Sequence, residues 1–161
     1  MTKRSLRVPF TRYVSIALLA ACGQTSELDA PPLRMARLAG CYALTVEGSG
    51  DPLRTFEGLR AFALLADSVG PQRPNIRRVA PPRGSAADSV WMASYDLRTW
   101  TVGEAADSVL VLFRHGFGGP ALALVPRGDS LVGNALLIGD TEPFSMRVGR
   151  ARAVRVACVT S

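Results

Sequence analysis

From Gly40 to the carboxyl terminus, no apolar stripe of helical period runs for more than a few residues, and the apolar residues come instead in short runs cut by turn signals. A chain patterned this way folds as strands, and all-β is the predicted class. Eight runs qualify: Cys41 to Glu47, Gly58 to Ala66, Asn75 to Ala80, Ser89 to Asp96, Ser108 to Arg114, Ala121 to Val125, Ser130 to Gly139 and Phe144 to Cys158. The sharpest alternation sets Val109, Val111 and Phe113 against Leu110, Leu112 and Arg114. Pro126-Arg127-Gly128-Asp129 is a turn that folds two runs into a hairpin.

A short phrase recurs as Ala87-Asp88-Ser89-Val90, Ala106-Asp107-Ser108-Val109 and Gly128-Asp129-Ser130-Leu131. Asp and Ser suit a turn and the aliphatic residue suits the strand that follows, so a meander would open alternate strands with it. Composition bias in an Ala- and Arg-rich chain is the other explanation. Ala66-Asp67-Ser68-Val69 runs straight into Gly70-Pro71, and there the phrase should end a strand.

The formal charge of +6 suggests a nucleic-acid partner only until the charges are located. Lys3, Arg4, Arg7 and Arg12 lie in the first 21 residues, where no acid accompanies them, and 15 Arg then face 13 Asp and Glu in the remainder. Interspersed charges so near balance do not make a phosphate-binding footprint, and no nucleic acid is expected.

After those basic residues come Val14 to Ala21 and then Cys22. The apolar run is too short to cross a bilayer and reads as the core of a signal peptide. Leu19-Ala20-Ala21-Cys22 resembles the lipobox of bacterial lipoproteins at all four positions. The resemblance implies cleavage before Cys22, a diacylglyceryl thioether on its sulfur, and acylation of the new amine, commonly with palmitate. An ordinary secretory signal cut near Ala20 or Ala21 is the alternative. Gly23 is not an Asp-type inner-membrane retention signal, so the implied location is the cell envelope, at the outer membrane facing the periplasm. Residues 1–21 are thus expected to be the signal peptide, 22–36 a lipid-anchored tether rich in Pro and polar residues, and 37–161 the folded domain. Leu33 to Ala39 can form a helical turn or two before Gly40 stops it.

With Cys22 given to lipid, Cys41 and Cys158 form an even pair bracketing the domain, and an oxidising compartment favours a disulfide between them; two buried thiols are the alternative. Two isolated Cys and the single His115 make no metal site, and no cofactor is expected. Strands in meander order with joined ends predict one antiparallel up-and-down barrel, which leaves no open edges; an open β-sandwich is the competing arrangement. Over five residues, Leu38-Ala39-Gly40-Cys41-Tyr42 resembles the opening Gly-x-Trp of the lipocalin and calycin barrels, with Tyr42 in the aromatic role and no Trp.

Several fragments spell catalytic motifs without the partners those motifs need. Gly128-Asp129-Ser130-Leu131 matches the block of a serine esterase family, but no His follows it to activate Ser130. His115-Gly116-Phe117-Gly118-Gly119 is similar to the oxyanion loop of lipases, yet no Gly-x-Ser-x-Gly elbow is present and there is no P-loop Lys. Arg127-Gly128-Asp129 spells an adhesion tripeptide that a polar turn explains as well. The acid pairs Glu104 with Asp107 and Asp140 with Glu142 fall in turns without apolar neighbours. No enzyme activity is expected. Arg73, Arg77, Arg78 and Arg83 among prolines read as a solvated basic face, with anionic lipid headgroups as the alternative contact.

Two features bear on a ligand. Trp91 and Tyr95 share one face of the Ser89 to Asp96 strand, either as core or as the lining of a barrel mouth. On the last strand, an inward valine face would carry Arg150 and Arg152 into one end of the barrel, where a carboxylate-headed lipid would neutralise them. A bulge turning both to solvent is the other possibility. The sequence therefore leaves two readings: an anchored module holding an apolar or lipid-like molecule in its barrel, or a structural or assembly lipoprotein that contacts another envelope protein.

Overall fold

A computed structural model describes residues 33–48, 50–103, 108–141 and 144–159. The expected signal peptide, Cys22 and most of the expected tether lie outside the described residues. Eight strands, β1 (Gly40–Glu47), β2 (Ala61–Ser68), β3 (Arg77–Ala80), β4 (Leu97–Val102), β5 (Val109–Arg114), β6 (Gly119–Arg127), β7 (Ser130–Ile138) and β8 (Ser145–Val156), follow one another in space in chain order. Every pairing is antiparallel, and β8 returns to β1, so the sheet closes into an up-and-down barrel rather than a sandwich.

The closing seam runs from Cys41 opposite Val156 to Glu47 opposite Arg150. Just past its end the Cys41–Cys158 disulfide joins the strands, with Cα atoms 5.3 Å apart. Leu33 to Leu38 form helix α1, stopped at Gly40 as the sequence predicts. The Asp-Ser phrase opens β7 at Ser130 and precedes β5 at Ser108, and at Ser68 it ends β2.

One segment differs from its sequence reading. Ser89 to Asp96 is not a strand: Ala86–Ala93 is helix α2, and the fourth strand is Leu97–Val102, which is not among the eight runs read from the sequence. The local cause is the cap. Ser85 is the N-cap and accepts from the Asp88 amide at 3.4 Å, while its hydroxyl donates to Asp88 Oδ2. Asp88 Oδ1 then accepts from the Arg60 and Ala61 amides at 2.6 and 3.0 Å, tying the first turn of α2 to the start of β2. Here the Asp-Ser phrase begins a helix.

The two ends of the barrel are covered differently. At the end where β1 begins, α1 contributes the buried Met35. At the other end a 3-10 helix, Asp51–Phe56, and α2 bury Phe56 and Met92, and Trp91 Nε1 donates to the Thr55 carbonyl at 3.1 Å, linking the two. Between these plugs the interior is filled by Tyr42, Phe62, Trp100, Phe113, Leu122 and Leu124, each at most 2% exposed. The Trp100 indole N–H donates to the Leu65 carbonyl at 2.9 Å, so this large side chain is fixed by a polar bond within an apolar core.

The phase of β8 also departs from the inward valine face. A bulge places Val148 between Arg147, opposite Leu136, and Gly149, opposite Ala135. Gly149 is needed at the bend, because a Cβ there would lie 2.5 Å from the Glu47 carbonyl oxygen. Val148 is buried on one side of the bulge and Ala151 and Ala153 on the other, while Arg150 and Arg152 are exposed on the outer wall, opposite Glu47 and Thr45 of β1. Small alanines on β8 leave room inside for the aromatic residues of β1, β2 and β4.

Candidate functional site

A depression of about 720 Å³ lies at the α1 end, outside the filled interior. Arg37, Tyr42, Pro126, Arg127, Ser130 and Arg155 are among its lining residues. They meet there because α1, the start of β1, the β6–β7 turn and the end of β8 all sit at this end of an up-and-down barrel.

Arg155 organises the wall. Its Nη1 donates to the Ala39 carbonyl at 3.0 Å, and its Nη2 donates to the Arg37 carbonyl and to the Tyr42 hydroxyl, the latter at 2.9 Å. The guanidinium carbon also stands 5.2 Å from the centre of the Tyr42 ring, within cation–π range. The Tyr42 hydroxyl in turn donates to the Leu38 carbonyl at 2.8 Å, and the Arg155 amide donates to the Asp129 carbonyl at 2.9 Å. One residue thus fastens the helix and the first strand through its side chain, and the β6–β7 turn through its amide, to the last strand. Burial raises the Tyr42 pKa, and the Arg155 charge and hydrogen bond oppose this without reversing it, so the hydroxyl remains a neutral donor. Arg37 and Arg127 are exposed at the rim. The chemistry on offer is hydrogen-bond donation to an anionic or carbonyl group, with Leu38, Val125 and Leu131 supplying apolar contact.

The residues nominated from the sequence are distributed over the whole barrel. Trp91 and Tyr95 do meet, at 4.7 Å between ring centres, but through one turn of α2 and its exit rather than through a strand face. Trp91 packs edge-on to Phe113 at 4.9 Å and Tyr95 lies 6.2 Å from the same ring, so the pair caps the core at the α2 end. Burial raises the Tyr95 pKa. Arg150 and Arg152 line a shallow groove on the outer wall with Thr45, Glu47 and Val132. They do not approach Trp91 or Tyr95, and the four do not form one site.

Ser130 opens β7 at the α1 end, whereas His115 lies in the β5–β6 hairpin at the α2 end. His115 Nδ1 is 2.8 Å from Asp96 Oδ2, with both side chains about three-quarters exposed. The barrel separates the esterase-like Ser from the only His. Among the described residues no group of three His, Cys, Asp or Glu could hold a metal ion. Glu104, Asp107 and Glu142 lie outside the described residues.

Sequence reasoning missed two buried charges. Asp88 was assigned to a turn and is 2% exposed; the Ser-x-x-Asp spacing from Ser85 was the available signal. Arg77 was assigned to a solvated basic face, but it is 3% exposed and shares the inward face of β3 with Val79, opposite Trp100, whereas Arg73, Arg78 and Arg83 are exposed as expected. No family model, curated protein or solved structure matches the chain.

Proposed function

We propose that the protein is a membrane-anchored envelope lipoprotein that acts through the outside of a filled barrel, contacting another envelope protein, rather than by carrying a molecule inside. The observation behind this reading is the occupied interior: Trp100, Phe62 and Phe113 are fully buried where a ligand would have to sit. A cavity for a lipid-like ligand needs small residues facing one another across the barrel, and here the alanines of β8 face aromatics instead.

The outer wall supports the same conclusion. On the outer faces of β5, β6 and β7, Leu110, Leu112, Ala123, Val125, Val132 and Leu136 are only partly covered, with Asn134 and Arg114 as the polar members beside them. Such a face, next to the arginine-bearing depression, offers a partner apolar area and hydrogen-bond donors together. The anchor is read from Leu19-Ala20-Ala21-Cys22 alone. Mass spectrometry of detergent-extracted protein tests both parts. The intact mass should equal a chain starting at Cys22 plus its acyl groups, and the native spectrum should show no bound small molecule. A chain that begins elsewhere or lacks acyl mass overturns the anchor, and a stoichiometric ligand retained in the native spectrum overturns the filled-barrel reading.

A further inference from the structure

The most exposed aromatic side chains of the described residues sit together at the α2 end. Phe117, at the tip of the β5–β6 hairpin, is 75% exposed and Phe144, before β8, is 59% exposed. Their loops are neighbours. A Cβ on Gly118 would lie 2.8 Å from the Ile138 carbonyl oxygen, and the Gly139 amide donates to the Phe144 carbonyl at 3.0 Å. Met146 at 42% and Leu97 at 37% extend the rim to either side. None of these side chains belongs to the core cluster, so packing does not account for them. Two Arg flank the phenylalanines: Arg114, whose Nη2 donates to the Phe117 carbonyl at 3.2 Å, and the exposed Arg147.

We propose that this rim docks on a phospholipid bilayer, with Phe117 and Phe144 entering the interface and Arg114 and Arg147 at the level of the phosphates. Aromatic side chains on loop tips beside guanidinium groups match the polarity gradient of that interface, where apolar insertion and attraction to anionic headgroups act together. The proposal rests on the anchored reading for the presence of a membrane, and the tether length permits it. Eleven residue steps from Cys22 to Leu33 can span about 36–40 Å. A nine-residue strand rising about 3.3 Å per residue, tilted by about 40°, gives a barrel only about 23 Å tall. A tether that reaches α1 can therefore pass along the barrel and still leave the opposite rim on the bilayer. The depression at the α1 end would then face away from the membrane, towards a partner.

The test places a fluorophore at each end of the full-length chain bound to phosphatidylethanolamine–phosphatidylglycerol vesicles containing acyl-brominated lipid. The Phe117→Trp chain should lose most of the emission gained over the parent, whose Trp91 and Trp100 set the background, and Phe144→Ser in that chain should restore much of it. The Asp129→Trp chain, altered at the exposed β6–β7 turn of the other end, should keep its emission. Unquenched emission from the Phe117→Trp chain, or equal quenching at both ends, overturns the docking, and a rim covered by protein instead gives the first of these results. The intact mass of the same sample separates the two proposals: acylated protein with no quenching refutes docking alone, whereas quenching in a chain without acyl mass refutes the anchor alone.

Discussion

Replacing Asp88 with Ala should cost far more than its single place in an eight-residue helix suggests. Its carboxylate accepts from the Arg60 and Ala61 amides and from the Ser85 hydroxyl, at 2% residue exposure. Removing it leaves two partly buried amides without an acceptor, at about 1 kcal/mol each, the low end of the usual range. Loss of the acceptor for the Ser85 hydroxyl adds about 1 kcal/mol, while the capping bond from the residue 88 amide to the Ser85 oxygen remains. The expected total is about 3 kcal/mol, which for a domain of this size lowers Tm by about 10 °C. Asp88→Asn retains one carbonyl for the amides and loses only the charge assistance, so it should cost about 1–1.5 kcal/mol. Urea unfolding followed by far-UV circular dichroism and by the fluorescence of Trp91, which sits on the same helix, provides the measurement. A loss below 1 kcal/mol for Asp88→Ala, with coincident transitions, would refute the view that this carboxylate holds α2 to β2.

Three further outcomes are expected. Reducing the Cys41–Cys158 bridge frees a loop with a sequence separation of 117 and should lower stability by up to about 5 kcal/mol while β1 and β8 stay paired; a urea midpoint unchanged by reductant would refute this. Tyr42 and Tyr95 have pKa values raised above the ordinary 10.0, so the folded state holds protons that the unfolded state releases, and stability should be complete below pH 10 and fall as pH rises above it. Urea midpoints measured from pH 9 upward should show that decline, and it should be smaller in Tyr95→Phe. Ser130→Ala and His115→Ala should leave unchanged any hydrolysis found in a purified sample, because the two side chains stand at opposite ends of the barrel; a loss of activity in both folded variants would contradict that separation.

The architecture was legible because strand alternation is a local signal. Val109, Val111 and Phe113 point inward as their spacing requires, and the two Cys showed that first and last strands meet. The segment from Ser85 to Val102 was misread because both of its elements depend on distant partners. Val90 and Met92 would share one face of a strand, whereas in the helix Met92 is buried and Val90 exposed, and what favours the helix is an Asp88 side chain bound to amides 27 and 28 residues earlier in the chain. The count of eight strands survived since one false strand was offset by one overlooked. On β8 the expected inward face of Val148, Arg150, Arg152, Val154 and Val156 is broken by a bulge whose cause, the approach of the Glu47 carbonyl to Gly149, is a tertiary contact. The α1-end depression was equally hidden: Arg37, Tyr42, Arg127 and Arg155 are neighbours only once the barrel closes.

The seam between β1 and β8 imposes an order on how the chain can be made. As the protein emerges amino terminus first, β1 can pair with β2 within a few dozen residues, but its other edge has no partner until the last strand arrives. For that interval an edge running from Cys41 to Glu47 is open to any extended segment, including the same strand of another nascent copy. The thiol of Cys41 waits for the same event, since its partner lies 117 residues away. The barrel is thus exposed to misassembly until β8 arrives, and factors that shield an open β edge would act on β1 before any other strand.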